Sequence, residues 1–543
     1  MPVDRRHHPS ATERMSRAIT SSVTGRRLIA FRTELRHRHA AMHWTNLFGI
    51  VTLACVVVVF VTGIALMFFY QPSGTQVRYE GSYAPLHGSV MSEALRSTLS
   101  ISFDVRGGLL LRQAHHWAAL LLPAAIILQL LVTFFTGGFR RPRKGMWVLL
   151  FGILIVALAG GWSGYALPDD MLSGTGVRIT QGIVLGIPVV GTWLSALLFG
   201  GEFPGSIIEH LYPLHVAIVP VLLVALLVLR ARSAWLHKPP QFPVPGASDR
   251  VVVGLPLWPN HAARDGGLFA IVAGVLVLVS AFVTVDPVWL YGPFDPAGAS
   301  AGSQPDWYTG FLDGALRLVP PGWDFVWLGH TWTLSVLVPL AVVGAFLIAI
   351  LAYPFIEEWV TADHREHHLL DRPRNMPVRT ATGVAAMVFY GVLWGAGSAD
   401  LVATHFGLAV ESVVVFLQVA LLIAPIIAFV LTQRVAIGLQ HKDRDILLHG
   451  YETGRIVRLP GGEYVEVHRQ VDAGEAWHLG SAGDYLPVTA RPDDDGHLHL
   501  TDRLRARLSE FFFEERMVPV QHDDDGVGEE RAHAASIEQA SRS

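Results

Sequence analysis

Charge and cysteine are scarce in this chain. Charged residues fill 16% of its 543 positions, against 51% for hydrophobic ones. That balance excludes an ordinary soluble protein of this length and points to many membrane spans. The lone cysteine, Cys55, excludes an intrachain disulfide and a cysteine-built zinc or iron–sulfur site, and it reads as a small residue facing core or lipid. A net charge of −4 offers no general footing for nucleic acid. No cleavable leader is expected, because residues 1–43 are polar and basic and the first apolar run is already long enough to span.

Long apolar runs are what the chain has in abundance. A spanning helix needs about 20 such residues. Eight stretches qualify: roughly 44–70, 109–136, 145–167, 207–230, 266–288, 326–353, 380–400 and 411–433. The stretch from Gly182 to Gly201 is apolar but interrupted by Gly186, Pro188 and Gly191. With eight spans, Arg140, Arg141, Arg143 and Lys144 fall on the same side as the nine arginines of residues 1–43. So do Arg230, Arg232, Lys238, Arg365, Arg372, Arg374, Arg379, Arg434, Lys442 and Arg444. Counting 182–201 as a span would throw the later basic loops outside, so it reads as a re-entrant or surface helix on the outer face.

The expected architecture is an all-α integral membrane protein with both termini cytoplasmic. A basic segment (1–43) precedes a four-helix bundle (44–231), a Pro-rich cytoplasmic linker (232–265), a second four-helix unit (266–433) and a cytoplasmic tail (434–543). The tail is acidic and Ala/Ser-rich beyond about residue 520, a composition expected to be disordered.

Polar residues inside spans are costly and point to function. Span two carries His115 and span four carries His215, each ~9–12 Å below the outer end at ~1.5 Å rise per residue. Two neutral imidazoles at one depth on two helices of one bundle suit axial ligation of a haem iron. The alternative is that each histidine bonds to a neighbouring helix. His116 and His210 are the other candidate ligands. Gly49 and Gly63, 14 residues apart on span one, and Gly164 at the end of span three would let a flat macrocycle approach the backbone. Arg112, one turn outward of His115, could pair with a haem propionate.

At these residues the chain resembles the cytochrome b subunit of quinol:cytochrome c reductases, most closely the actinobacterial menaquinol form. The likeness runs through Gly107–Ala119, Gly164–Asp170, Leu172–Gly176, Gly200–Gly205, Gln304–Tyr308, Asp371–Arg374 and Gly438–Val467. It implies quinol oxidation near the outer face of a bacterial plasma membrane, with one electron passing to a Rieske iron–sulfur subunit and one to an outer b haem. It also implies a c-type cytochrome partner, a dimer, and in some members a terminal oxidase. By resemblance, Asp306 accepts a quinol proton while Tyr308 and Tyr165 position the ring.

One departure stands out. The family holds a second, inner haem with a histidine 14 residues after the first on span two, and one 14 or 15 residues after on span four. Here those positions are Gln129, Leu229 and Arg230, and neither 117–138 nor 216–234 contains a histidine. Arginine offers no lone pair and glutamine is a poor iron ligand. An offset of ~21–22 Å keeps the outer histidines from serving an inner group. Leu150 stands where span three would repeat Gly164. The expectation is one outer haem and no inner one. Two alternatives are a non-catalytic assembly paralogue and an ordinary two-haem enzyme with substitute ligation.

Overall fold

The computed structural model describes residues 22–41, 43–201, 205–298, 304–320, 322–480, 486–490, 497 and 499–514. Most of the basic N-terminal segment, Glu202–Pro204 of the glycine-rich motif and the tail beyond residue 520 lie outside the described residues.

Among the described residues, eight helices are long and apolar enough to cross a membrane: Trp44–Met67, Gly108–Phe135, Lys144–Tyr165, Ile207–Leu236, Leu257–Phe282, Leu334–Thr361, Pro377–Gly397 and Val410–His449. We number them spans one to eight. Their outward faces stay apolar, as with Val61, Val221, Ile348, Phe416 and Leu422, all exposed. A helix that is apolar on its open side needs lipid there. The 182–201 stretch folds as part of two short helices, Met171–Leu185 and Gly191–Phe199, and adds no span.

Spans one to four share a core built from Cys55, Ala118, Ile126, Ile153 and Leu223, with Leu276 of span five joining it. A second core lies where Phe311 and Ala315 of the helix Gly310–Arg317 meet Val343 and Leu393 of spans six and seven. That helix crosses span seven so closely that a Cβ on Gly314 would fall 1.7 Å from the Leu393 carbonyl oxygen.

Several span edges differ from the hydropathy reading. Span five ends at Phe282, and Val283–Pro287 runs without helix or strand across span two, where Gln113 bonds both backbone groups of Val285 and the Trp117 indole donates to the Val283 carbonyl. Residues 324–333 form a hairpin, not the start of span six, because Leu328 and Gly329 both take positive φ and turn the chain between paired Trp327 and His330.

At the arginine-rich end, Arg379 of span seven is fully buried and bonds both carboxylate oxygens of Glu357 on span six. Its other nitrogen donates to Asp371, which also meets Arg140. The linker is stapled beside them: the Asp249 carboxylate accepts from the amides of His368 and Leu369, and Gln241 pairs with His368 and Leu370. Span eight continues well past residue 433, to His449, tied down by Asp443 with Arg372 and Arg374. After a hairpin (Tyr451–Arg458 with Tyr464–Arg469), the helix Leu500–Phe513 returns to bury Phe512 and Phe513 against Val360, Met376 and Val378.

Candidate functional site

Span four is distorted where its histidine sits. Pro213 has no N–H and its ring crowds the preceding turn, so the helix widens into a π-turn over Leu214–Ile218. His215 rides on that turn and faces His115 of span two. The two rings lie 6.1 Å apart, centroid to centroid, inclined at 69°. They line a cavity of about 410 Å³ together with Gly63, Gly164, Arg112 and Tyr308.

Their hydrogen bonds fix the tautomers. His215 Nδ1 lies 3.1 Å from the Gly160 carbonyl oxygen, which can only accept, so Nδ1 carries the proton. His115 Nδ1 lies 3.1 Å from the Thr62 hydroxyl, whose own hydrogen is committed to the Val58 carbonyl at 2.6 Å. Thr62 therefore accepts from His115. Both imidazoles are left with a bare Nε2 lone pair, the form that binds iron, each oriented by a helix group behind it. Imidazole–metal bonds of ~2 Å on either side of one ion set ring centroids roughly 6 Å apart. The residues present fit a bis-imidazole iron.

The glycines work closer to the histidines than the sequence suggested. A Cβ on Gly164 would fall 2.5 Å from His215 Cε1, and one on Gly63 would fall 3.0 Å from His115 Cε1. They make room for the imidazoles themselves. Gly49 faces Gln129, whose Nε2 would lie 3.4 Å from its Cβ. Arg112 is held by Asp286: Nη2 donates to its carbonyl at 2.7 Å and reaches its carboxylate at 3.2 Å. Arg112 Nη1 is buried without a hydrogen-bond partner among the described residues, which leaves it open to an anion. His116 turns away from the pair and stands between Asp306, 3.5 Å away, and Asp286, 3.9 Å away. The His210 ring bonds back to the Ser206 carbonyl and lines no part of this cavity.

A second cavity of about 470 Å³ adjoins the first, and Tyr165, Asp306 and Tyr308 belong to both linings. The Tyr308 hydroxyl donates to Asp306 Oδ2 at 2.8 Å. Burial pushes that hydroxyl well above its usual pKa, and the Asp306 charge adds to the shift, so it remains a donor. Tyr308 fits because Gly161 has no side chain: a Cβ there would fall 2.5 Å from its hydroxyl. The segment is anchored by Trp307, whose indole donates to the Leu120 carbonyl, and by Gln304 bonded to Asp400. Thr62, Gly160, Gly161 and Asp286 were not singled out from the sequence. Only the small-residue run Gly160–Gly164 offered a signal, since the other contacts are tertiary.

A cavity-bearing helical bundle of this kind has known counterparts. The family model "Cytochrome b(N-terminal)/b6/petB" matches residues 120–293. The cytochrome bc1 complex cytochrome b subunit of Streptomyces coelicolor is 46% identical over 484 residues, covering 88% of this chain and 89% of that one. The subunit of Mycobacterium tuberculosis is 43% identical over 469 residues, covering 86% and 82%. A solved hyperthermophilic respiratory Complex III chain shares the fold, with a TM-score of 0.55 at 18% identity, covering 76% of this chain and 98% of that one. Identity at this level over most of both chains decides the matter: the protein belongs to the actinobacterial cytochrome b subunits of cytochrome bc1 complexes, multi-pass oxidoreductase subunits of the bacterial plasma membrane.

Proposed function

We propose that the protein is the quinol-oxidising subunit of a menaquinol:cytochrome c reductase that carries a single b haem, between His115 and His215. The paired Nδ1–H tautomers, with Nε2 bare on both rings, carry this reading. The haem supplies one-electron transfer when bound, and Arg112 Nη1 is available to a propionate. The adjoining cavity suits a quinol ring, held beside Tyr165 and Tyr308. There the Asp306 carboxylate accepts a hydroxyl proton while Tyr308 fixes its orientation. The side is the outer one if the arginine-rich end is cytoplasmic. A Rieske subunit and a c-type cytochrome would take electrons from this face, in a lipid-embedded dimer and in some assemblies with a terminal oxidase.

At the inner position the residues do not fit a second haem. Gln129 occupies the place before Gly49 that His115 occupies before Gly63, and Leu150 is buried in the core. The deciding measurement is haem b per polypeptide in the purified complex, with menaquinol-driven cytochrome c reduction. One haem with activity is expected. Two would overturn the single-haem assignment, and none would favour an assembly role.

A further inference from the structure

One side of the cavity that His115 and His215 line carries an ion pair, Arg112 with Asp286. Arg112 is the cavity's one arginine, and Asp286 stands against it. Asp286 is held there by backbone geometry as well as by its carboxylate. Its φ of 47° turns both its carbonyl and its side chain toward Arg112. The Val283–Pro287 segment that carries it is clamped to span two by Gln113 and Trp117. The carboxylate is 8% exposed and lines the cavity, yet Oδ1 has no hydrogen-bond partner among the described residues.

We propose that Asp286 is a redox-linked proton site: it binds one proton as the haem gains one electron and releases it to the outer face when the electron leaves. The inference rests on the haem assignment made above. Its physical basis is that an added electron in a buried cavity is opposed by any carboxylate already there, unless that carboxylate is neutralised at the same time. With a haem bound, quinol would supply the electron and water at the outer face the proton that neutralises the Asp286 carboxylate, so the cavity's net charge would be unchanged.

The groups facing Asp286 are Arg112 and His116 from span two, Asp306 and Tyr308 from the loop before the helix Gly310–Arg317, Asp170 and Tyr165 from the end of span three, and Tyr291 on its own segment. Burial raises the Asp286 carboxyl, His116 and Arg112 pull it back, and Asp306 adds to the rise. Asp170 is pushed up to about 7 by burial and by Asp286. Among the three carboxylates Asp286 is the one that lines the cavity with a buried oxygen lacking a hydrogen-bond partner among the described residues. Asp170 has both oxygens committed, to the Leu172 amide and the Ser173 hydroxyl, and lies outside the cavity lining. Asp306 Oδ2 is taken by Tyr308.

The test is redox potentiometry of the haem absorbance in the intact complex over a wide range of pH, since burial raises the Asp286 carboxyl above its ordinary value. The carboxylate anion disfavours reduction, so the midpoint potential should fall as pH rises. Where one proton accompanies one electron the slope approaches about 59 mV per pH unit, a tenfold change in proton activity at n = 1. Asp286→Asn should flatten the profile near the wild type's acid limit, and Asp286→Glu should restore the slope. An unchanged slope in Asp286→Asn, or a slope lost only in Asp170→Asn, would overturn the assignment. A second measurement needs no variant. Haem reduction in the wild type should raise a protonated-carboxyl band in the infrared difference spectrum, and a spectrum without that band refutes the proposal. A flat wild-type potential with a normal b-type spectrum defeats this inference alone, whereas absence of any b-type spectrum defeats the haem assignment beneath it.

Discussion

Substituting alanine at Gly164 tests the haem cradle most sharply, because one methyl group must displace a ligand. The added Cβ would stand 2.5 Å from His215 Cε1. Carbon atoms rest at ~3.5–4.0 Å, so the imidazole must retreat by about 1 Å or more. Ligand distances at metal sites tolerate about 0.2 Å. The retreat is several times that tolerance, and Gly160 and Ser163 behind the ring at 3.1 and 3.2 Å leave it little room to slide. Gly164→Ala should therefore lose the haem, or keep it with one axial ligand and a high-spin absorption spectrum. Overpacking of this kind should also lower stability by about 1–3 kcal/mol. The same geometry ranks other sites. Gly63→Ala, at 3.0 Å from His115 Cε1, should weaken haem retention less. Gly49→Ala meets only Gln129 at 3.4 Å and should leave haem content unchanged, as should Gly344→Ala, where no atom lies within 4 Å. The assay is haem b per polypeptide with the oxidised and reduced spectra. A Gly164→Ala protein with full haem and an unaltered spectrum would refute the reasoning.

Tyr308→Phe removes the donor to Asp306 Oδ2 at 2.8 Å. Hydrogen bonds to charged groups contribute ~1.5–3 kcal/mol, so kcat for menaquinol-driven cytochrome c reduction should fall ~10–100-fold with haem content intact. Arg379→Met strands Glu357 and Asp371 in a buried site and should cost about 3–5 kcal/mol, read as a lowered Tm in detergent; an unshifted Tm contradicts the reading of that network. Acid should loosen the same region. Burial alone would raise Asp371, but Arg140 and Arg379 outweigh it and hold the carboxyl below its usual range. A depressed carboxylate contributes stability above its unfolded pKa of ~3.9 and loses it as pH falls through the folded value. Limited proteolysis near the linker should accelerate at that acid edge, and Asp371→Asn should abolish the acid dependence.

Hydropathy made the eight spans legible because nothing else in a chain demands ~20 consecutive apolar residues. It failed at edges where apolar residues serve other ends. Val283–Val285 are apolar and β-branched, yet their backbone groups are satisfied by Gln113 and Trp117 of another helix, which no local pattern announces. Val326–Trp332 reads as the start of a span, but Leu328-Gly329 makes a hairpin turn. Span eight was cut short at its first charges. Lys442, Asp443 and Arg444 are nevertheless tolerated in a helix, and Asp443 finds two arginines. At the site, His115 and His215 were legible because an imidazole in a span needs a reason. Thr62 and Gly160 were not, since their task is to accept a hydrogen bond from a ring on another helix. Asp286 was hidden for the same reason: its partner Arg112 lies 174 residues away in sequence.

Span one keeps its 14-residue glycine period although only one end of that period meets a histidine. Gly63 faces His115 and Gly49 faces Gln129, so the antiparallel helices repeat one contact at two depths. Around the outer contact the helices enclose a cavity. Around the inner one, Ile126, Leu130, Leu150 and Ile153 belong to one buried apolar cluster and line no part of that cavity. Gln129 Oε1 and Arg230 Nε are buried there with no hydrogen-bond partner among the described residues. Unpaired polar atoms in a membrane core are a cost that tight packing does not remove. The inner half thus keeps the helix spacing of a haem bundle while Leu150 takes up the room that a glycine would leave. An imidazole at 129 or 230 would supply a ligand without supplying that room. Loss of the second haem in this reading is therefore a property of the packing as much as of the ligands.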